Sequence, residues 1–140
     1  MEYLRDTIIY KLLSAQKKLV AAVKTDFLDV DITHENYITL HFVYENPGIS
    51  QTELAELNGK DKNVIVKTID RLEKNGWMER RSEGADRRTN SLFVTDKGEK
   101  VIDRYWTSLV KRQNEALSPL TDDEKKHLDR LLGKILQRPR

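Results

Sequence analysis

Apolar side chains recur along much of this chain at helical spacing, and a change of pattern after Gly76 divides it. Leu4, Ile8, Leu12, Ala15, Leu19, Ala22 or Val23 and Phe27 fall three or four positions apart. That is the spacing of one helix face, held for about six turns. Ile9, Leu13 and Val20 broaden the stripe, and Asp29-Val30-Asp31 breaks it. A helix this long ahead of a small unit has little of its own domain to pack on. It is expected to meet a distant terminal helix or a second subunit. Thr33 then stands as a helix cap, with Ile32 and Tyr37 placed to close a hydrophobic staple over it. Residues 34–46 carry Tyr37, Ile38, Leu40, His41, Phe42, Val43 and Tyr44, and Asn46-Pro47-Gly48 ends that helix.

The next stretch, Ser50 to Asn75, predicts two short helices and a tight corner. Ser50 and Glu53 have the spacing of a capping box, with Ile49 and Leu54 as its staple. The first helix runs from Gln51 to Leu57. Asn58-Gly59 stops it, because glycine tolerates the left-handed exit. Asp61 caps a second helix that starts near Lys62, and Ile65, Ile69 and Leu72 mark its buried stripe. Gly76 ends it. Helix, glycine corner, helix is the helix-turn-helix plan, whose second helix enters the DNA major groove. With the aliphatic stripe inward, Lys62, Asn63, Val64, Val66, Lys67 and Arg71 lie on or beside the outer face. Lys67 suits guanine O6 or N7, Asn63 suits adenine, and Val64 or Val66 suits a thymine methyl group. A short amphipathic helix with a solvated basic face has the same pattern, so this stretch does not decide the matter alone.

After Gly76 the pattern changes. Trp77 to Arg81 predicts a short strand, Ser82 to Arg88 a polar turn, and Thr89 to Thr95 a returning strand. A hairpin directly after a reading helix makes a wing. Its tip carries Arg87 and Arg88, and Arg80 and Arg81 lie on the approach. Arginine at a hairpin tip suits a narrow minor groove. Asp86, two residues before Arg88, is placed to pair with it and shape the loop. A solvated charged hairpin is the plainer reading. From Thr95 the helical period returns through Val101, Ile102, Tyr105, Trp106, Leu109, Val110 and Leu117. Ser118-Pro119 breaks it, Thr121 to Glu124 form a second capping box, and Leu128, Leu131, Leu132, Ile135 and Leu136 line the last helix.

Charge changes the picture by its distribution. The 140 residues carry a formal net charge of only +2. Residues 1–59 hold 5 basic and 9 acidic side chains, net −4, and residues 60–140 hold 20 and 14, net +6. The cations gather in the half that holds the candidate reading helix, as an electrostatic footprint requires. The absence of cysteine excludes disulfides, cysteine-ligated metals and thiol redox sensing. No apolar run approaches the ~18–20 residues of a membrane span. The N-terminus has no signal-peptide pattern, so a cytoplasmic protein with no membrane partner is expected.

Chemistry other than DNA reading finds little support. No phosphate-binding glycine loop, G-x-S-x-G or H-E-x-x-H is present. Asp122, Asp123 and Glu124 sit in a helix first turn, where acids offset the macrodipole. No catalytic residue is therefore assigned, and the protein is not expected to be an enzyme. His34 and His41 lie about 10 Å apart along one helix, too far to share an ion, and no metal or cofactor is expected. Tyr37, His41, Tyr44 and Trp106, with residues of the first helix, are the candidate lining of an effector pocket. Core packing with polar tips explains the same aromatic side chains.

The stretch VKTIDRLEKNG followed by WMERRSEGADRRTNSLFVTDKGEK resembles the MarR family of winged-helix transcriptional regulators. That pattern pairs a recognition helix ending in R-L-x-x-x-G with a wing of the form D-x-R-x-x-x-x-x-L-T-x-x-G. Here the matches are Arg71, Leu72 and Gly76, then Asp86, Arg88, Thr95 and Gly98, with Val94 in place of leucine. The resemblance covers the whole chain in order and length. It implies a mainly α fold with a small β-wing. A winged helix-turn-helix at 33–98 would be flanked by N- and C-terminal dimerisation helices at 1–32 and 99–140. It places Asn63, Val64, Val66 and Lys67 at base-reading positions, Arg88 as the wing arginine and Asp86 as its partner. It also implies a homodimer on a pseudopalindromic double-stranded DNA operator, usually a repressor that a small-molecule effector releases. Two other functions suit the same fold. One is a protein-docking module without base readout, and the other is an architectural DNA-binding protein without an effector.

Overall fold

The structure, a computed structural model, describes residues 2–82 and 90–137. Its helices begin where a short polar side chain can satisfy a free N–H. A single 3-10 turn at Leu4–Asp6 precedes α1 (Ile8–Asp26). Thr7 divides the two. Its Oγ1 donates to Leu4 O at 2.7 Å and accepts from the Tyr10 N–H at 3.2 Å. The long stripe read from the sequence is thus broken once, near its start, by a threonine acting as a cap. Thr33 Oγ1 accepts from Asn36 N at the head of α2 (His34–Glu45). Ser50 and Glu53 close a reciprocal capping box on α3 (Gln51–Asn58), and Thr121 and Glu124 do the same on α6 (Asp122–Leu136). Asp61 Oδ1 accepts from Asn63 N at 2.8 Å to start α4 (Lys62–Lys74). Gly59, at φ 65°, is the left-handed exit from α3.

The expected two-stranded wing is part of a three-stranded antiparallel sheet. Its strands are β1 (Ile49–Ser50), β2 (Met78–Ser82) and β3 (Asn90–Val94), in spatial order β1-β3-β2. Ile49 pairs with Leu92, and Met78 with Val94. Two residues cannot show a period of two, so β1 is invisible as a pattern and exists because β3 offers it a partner. Gly48 N donates to Leu92 O at 2.9 Å and sets that register.

The base of the wing is locked to α5 (Asp96–Ala116). Thr95 N donates to Trp77 O at 3.0 Å, Thr95 Oγ1 donates to Gly76 O at 2.6 Å, and Gly98 N donates to Thr95 Oγ1 at 3.0 Å. Gly98 has a steric reason to be glycine, since a Cβ there would stand 2.1 Å from the Trp77 carbonyl oxygen.

The chain divides into two compact units, Asp26–Thr107 and the described parts of Met1–Thr25 with Ser108–Arg140. The first holds a continuous apolar interior. Leu40, Val43, Leu54, Ile65, Ile69, Leu72 and Leu92 are fully buried in it, with Phe27, Tyr37, Trp77, Met78, Ile102 and Tyr105 around them. Apart from Phe27 and Trp77, which lie in connections, these side chains come from α2, α3, α4, the sheet and the N-terminal part of α5, so the helix-turn-helix and the wing share one core. The second unit buries little. Val23 and Ser108 are its buried described residues, while Leu4, Ile8, Ile9, Leu12 and Leu13 are exposed near its N-terminal end and Leu131, Ile135 and Leu136 on α6. The architecture is mainly helical with a small sheet, a winged helix-turn-helix with long helices before and after it. No helix among the described residues is long and apolar enough to cross a membrane.

Candidate nucleic-acid interface

Three aliphatic side chains orient α4, the candidate reading helix. Ile65, Ile69 and Leu72 of α4 are each 0 % exposed, so they fix which side faces the core. Successive residues step by about 100° around an α-helix. Asn63, Lys67, Asp70 and Lys74 therefore lie opposite the core. Val66 flanks them on one side, and Val64 and Arg71 on the other. Lys62 is in the first turn, nearer the core side. All six residues expected to contact DNA, Lys62, Asn63, Val64, Val66, Lys67 and Arg71, are exposed. Val64 and Val66 are 47 % and 39 % exposed, which is unusual for β-branched aliphatics in a helix with a well-formed core side.

Arg71 has a particular setting. With Asp31, Thr33, Asn36, Asp70, Lys74 and Asn75 it lines a polar cleft of about 510 Å³ between the C-terminal end of α4 and the start of α2. It belongs to the edge of the reading face rather than its centre. Lys60, in the corner, is turned to α2, where its Nζ bonds Glu35 Oε2 at 2.5 Å.

The two arginines on the approach to the wing are engaged within the chain. Arg80 Nη2 donates to Asp70 Oδ1 at 2.6 Å, and its Nη1 lies 3.7 Å from Glu73 Oε1. Arg81 Nε donates to Glu79 Oε1 at 2.7 Å, and its guanidinium lies 4.1 Å from the Phe93 ring centroid. Both were expected on the approach strand, beside the tip that carries Arg87 and Arg88. The Arg80 pairing is not legible in the sequence, because ten residues separate Asp70 from Arg80 and no helix or hairpin spacing predicts that contact. Asp86, Arg87 and Arg88, expected at the tip, lie outside the described residues.

The candidate effector residues come together on α2 and α5. Tyr37 Oη and His41 Nδ1 share a hydrogen bond at 2.7 Å, with His41 Nε2 3.2 Å from Glu45 Oε1. The His41 ring lies 6.0 Å from Tyr44 and 5.3 Å from Trp106. Tyr37 itself is buried, whereas Tyr44 and Trp106 are about half exposed. Tyr37 therefore packs as core beneath the group, and His41, Tyr44 and Trp106 present surface. Three further aromatic residues extend the cluster inward. The Tyr105 ring lies 3.9 Å from Tyr37 and 5.2 Å from Phe27, and His34 Nδ1 lies 3.0 Å from Tyr105 Oη. Burial pushes the Tyr37 phenol far above its ordinary range, with smaller upward contributions from Tyr105 and Glu45. Burial pushes Tyr105 up to about 12. It lowers the pKa of His34, opposed by Glu35. Both phenols thus stay neutral across the physiological range. Beside this cluster Arg104 reaches both carboxylate oxygens of Asp29 and stacks 4.6 Å over Phe27. Its hydrogen bond lowers the Asp29 pKa.

Similarity to known proteins follows the same residues. The sequence profile of the MarR family matches residues 30–89. YybA, an uncharacterised HTH-type transcriptional regulator of Bacillus subtilis (strain 168), is 34% identical over 115 residues, covering 79% of this chain and 73% of that protein. The crystal structure of the transcriptional regulator SlyA matches with a TM-score of 0.84 at 25% identity, over 93% of this chain and 92% of that one. The transcriptional repressor CouR, solved bound to a 23-mer DNA duplex, matches with a TM-score of 0.83 at 26% identity, over 97% and 99% of the two chains.

Proposed function

Because the chain belongs to the MarR family of DNA-binding transcriptional regulators, we propose that it binds a pseudopalindromic operator as a homodimeric repressor. The observation that carries this reading is the outer face of α4. Six side chains able to meet bases or phosphates are exposed on a helix whose opposite face is fully buried. Lys67 and Asn63 suit hydrogen bonds to purine edges, and Val64 and Val66 suit thymine methyl groups. Lys62 and Arg71 suit flanking phosphates, contacts that position the helix without reading sequence. Arg87 and Arg88, with Asp86 orienting, suit the adjacent minor groove. The DNA duplex bound by CouR supports the choice of ligand.

The homodimer rests on the second unit, whose exposed apolar side chains have no interior of their own. Burying them on a twin copy would hold two reading helices at a fixed distance, as half-sites about 34 Å apart require. His41, Tyr44 and Trp106, over the buried Tyr37, suit an aromatic or amphipathic effector. Such a ligand releases the operator only to the extent that it binds the non-binding arrangement more tightly than the binding one. We assign the protein no reaction.

Selection of bound duplexes from a random DNA pool tests the reading, with wild type, Lys67→Ala and Arg88→Ala side by side. Wild type should enrich an inverted repeat. Lys67→Ala should relax the preference at one position of each half-site, at about 1–3 kcal/mol for a lost base contact. Arg88→Ala should weaken binding with that preference kept. A folded dimer that enriches nothing at low salt would turn the assignment toward a protein-docking role.

A further inference from the structure

We propose that Arg80 makes the reading face acceptable to DNA by masking acids carried on the reading helix itself. The inference rests on α4 being the reading helix. Asp70 shares the outward side of α4 with Asn63, Lys67 and Lys74, and its side chain is 58% exposed. A bare carboxylate there would stand close to the phosphates, well inside the ~8 Å over which charges act in physiological salt. Glu73 lies one turn nearer the core on the same side. Arg80 reaches both from β2, with one guanidinium nitrogen 2.6 Å from Asp70 and the other 3.7 Å from Glu73. The planar fork of arginine can serve two carboxylates at once, which a lysine ammonium does less well.

Arg80 is also poorly placed to bind a phosphate. Its side chain is only 24% exposed, and its Nε is buried without a hydrogen-bond partner among the described residues. An orphaned buried donor is an unfavourable feature that folded proteins rarely keep. Here it accompanies a guanidinium held against two acids rather than free to swing toward the duplex. Arg80 is therefore a positioning residue that acts through Asp70. Its charge is consumed inside the chain so that Lys67 and Lys74 set the local potential. The same contact joins β2 to α4, so masking has to be separated from simple tethering.

Charge-balanced variants separate them. Binding of a labelled duplex carrying the selected operator is measured by fluorescence anisotropy across a salt series. Arg80→Gln exposes the two acids and should weaken binding by roughly five- to tenfold, the size of one unscreened like-charge contact near a surface. Arg80→Gln combined with Asp70→Asn keeps the net charge of wild type and removes the tether completely. Masking predicts recovery to within about twofold of wild type, with the salt dependence of wild type, because no phosphate contact has been lost. A double variant as weak as Arg80→Gln overturns the proposal in favour of a tether. A salt slope lower by about one in the double variant overturns it in favour of a direct phosphate contact. Where Arg80→Gln does not fold, Asp70→Asn in the Arg80 background decides. Masking predicts binding as tight as wild type or tighter, and weaker binding overturns it. Lys67→Ala in the same assay keeps the two readings apart. If Lys67→Ala leaves sequence preference unchanged, α4 is not the reader. If it alters preference and the double variant stays weak, masking alone fails.

Discussion

Trp77 and Gly98 touch backbone to backbone, and the contact has no room for a methyl group. A Cβ at position 98 would also lie 2.8 Å from Val94 Cγ1. Neither neighbour can retreat, because Trp77 O already accepts from Thr95 N and Val94 is held in β3. Gly98→Ala should therefore destabilise the protein by about 1–3 kcal/mol, the usual cost of overpacking, read as a lower urea midpoint at unchanged slope. An unchanged midpoint would mean the start of α5 moves freely, against the bonding drawn here. His34 gives a second test at this scale. Burial lowers its pKa, so the unfolded chain takes up the proton more readily than the folded one. Its contribution to stability is complete above the unfolded value of about 6.5 and is lost as pH falls from there toward the folded value. Asp29, with its pKa also lowered, gives up its contribution only below the unfolded carboxylate value of about 3.9. The melting temperature should therefore fall as pH drops below about 6.5. In His34→Gln that fall should shrink, and an equal fall in both proteins would remove His34 as its source. The sequence shows a histidine at 34 but not its environment, since Tyr105 reaches it from 71 positions away.

Among elements, those built from neighbouring residues are legible in the sequence and those built from distant ones are not. The capping box at Ser50, the left-handed Gly59 and the Asp61 cap each sit within four residues of what they serve, and the α3–α4 corner follows from them. β1 and the Arg80–Asp70 pair depend on chain segments that fold back, and no local spacing announces either. The same logic says where α4 is vulnerable. Asp61 accepts the Asn63 N–H in the first turn, where two of the proposed contact residues, Lys62 and Asn63, are carried. Asp61→Ala should cost about 1 kcal/mol of stability, as lost N-caps do. A frayed first turn must also be ordered again on binding. Operator affinity should therefore fall further than removal of one negative charge, which on its own would tighten binding to DNA. Tighter binding by Asp61→Ala would show that the cap is dispensable and that charge dominates at this position.

For the whole molecule, the two units differ in how they bury apolar surface. Asp26–Thr107 closes a core within one chain, and the exposed face of α4 is polar apart from Val64 and Val66. The other unit exposes Ile8 by 74%, Ile9 by 65%, Leu12 by 42% and Leu13 by 50%, with Ile135 and Leu136 each at 63%. Fully burying one such side chain contributes about 1.5–3 kcal/mol, a gain that a dimer sharing them would set against the roughly 4–15 kcal/mol cost of association. Sequence periodicity already marks these positions as apolar. It does not tell an internal face from an intermolecular one, because both show the same stripe. Ile8→Glu with Leu12→Glu should therefore give a folded monomer in sedimentation equilibrium, with the unit that carries α4 intact by circular dichroism. That monomer should occupy single half-sites weakly and lose the preference for the full inverted repeat, since nothing then couples the two heads. If the variant remains a dimer at submicromolar concentration, the interface lies elsewhere. If wild type is monomeric and still prefers the full repeat, spacing of the heads is imposed by the DNA, and release by an effector would have to act within one chain.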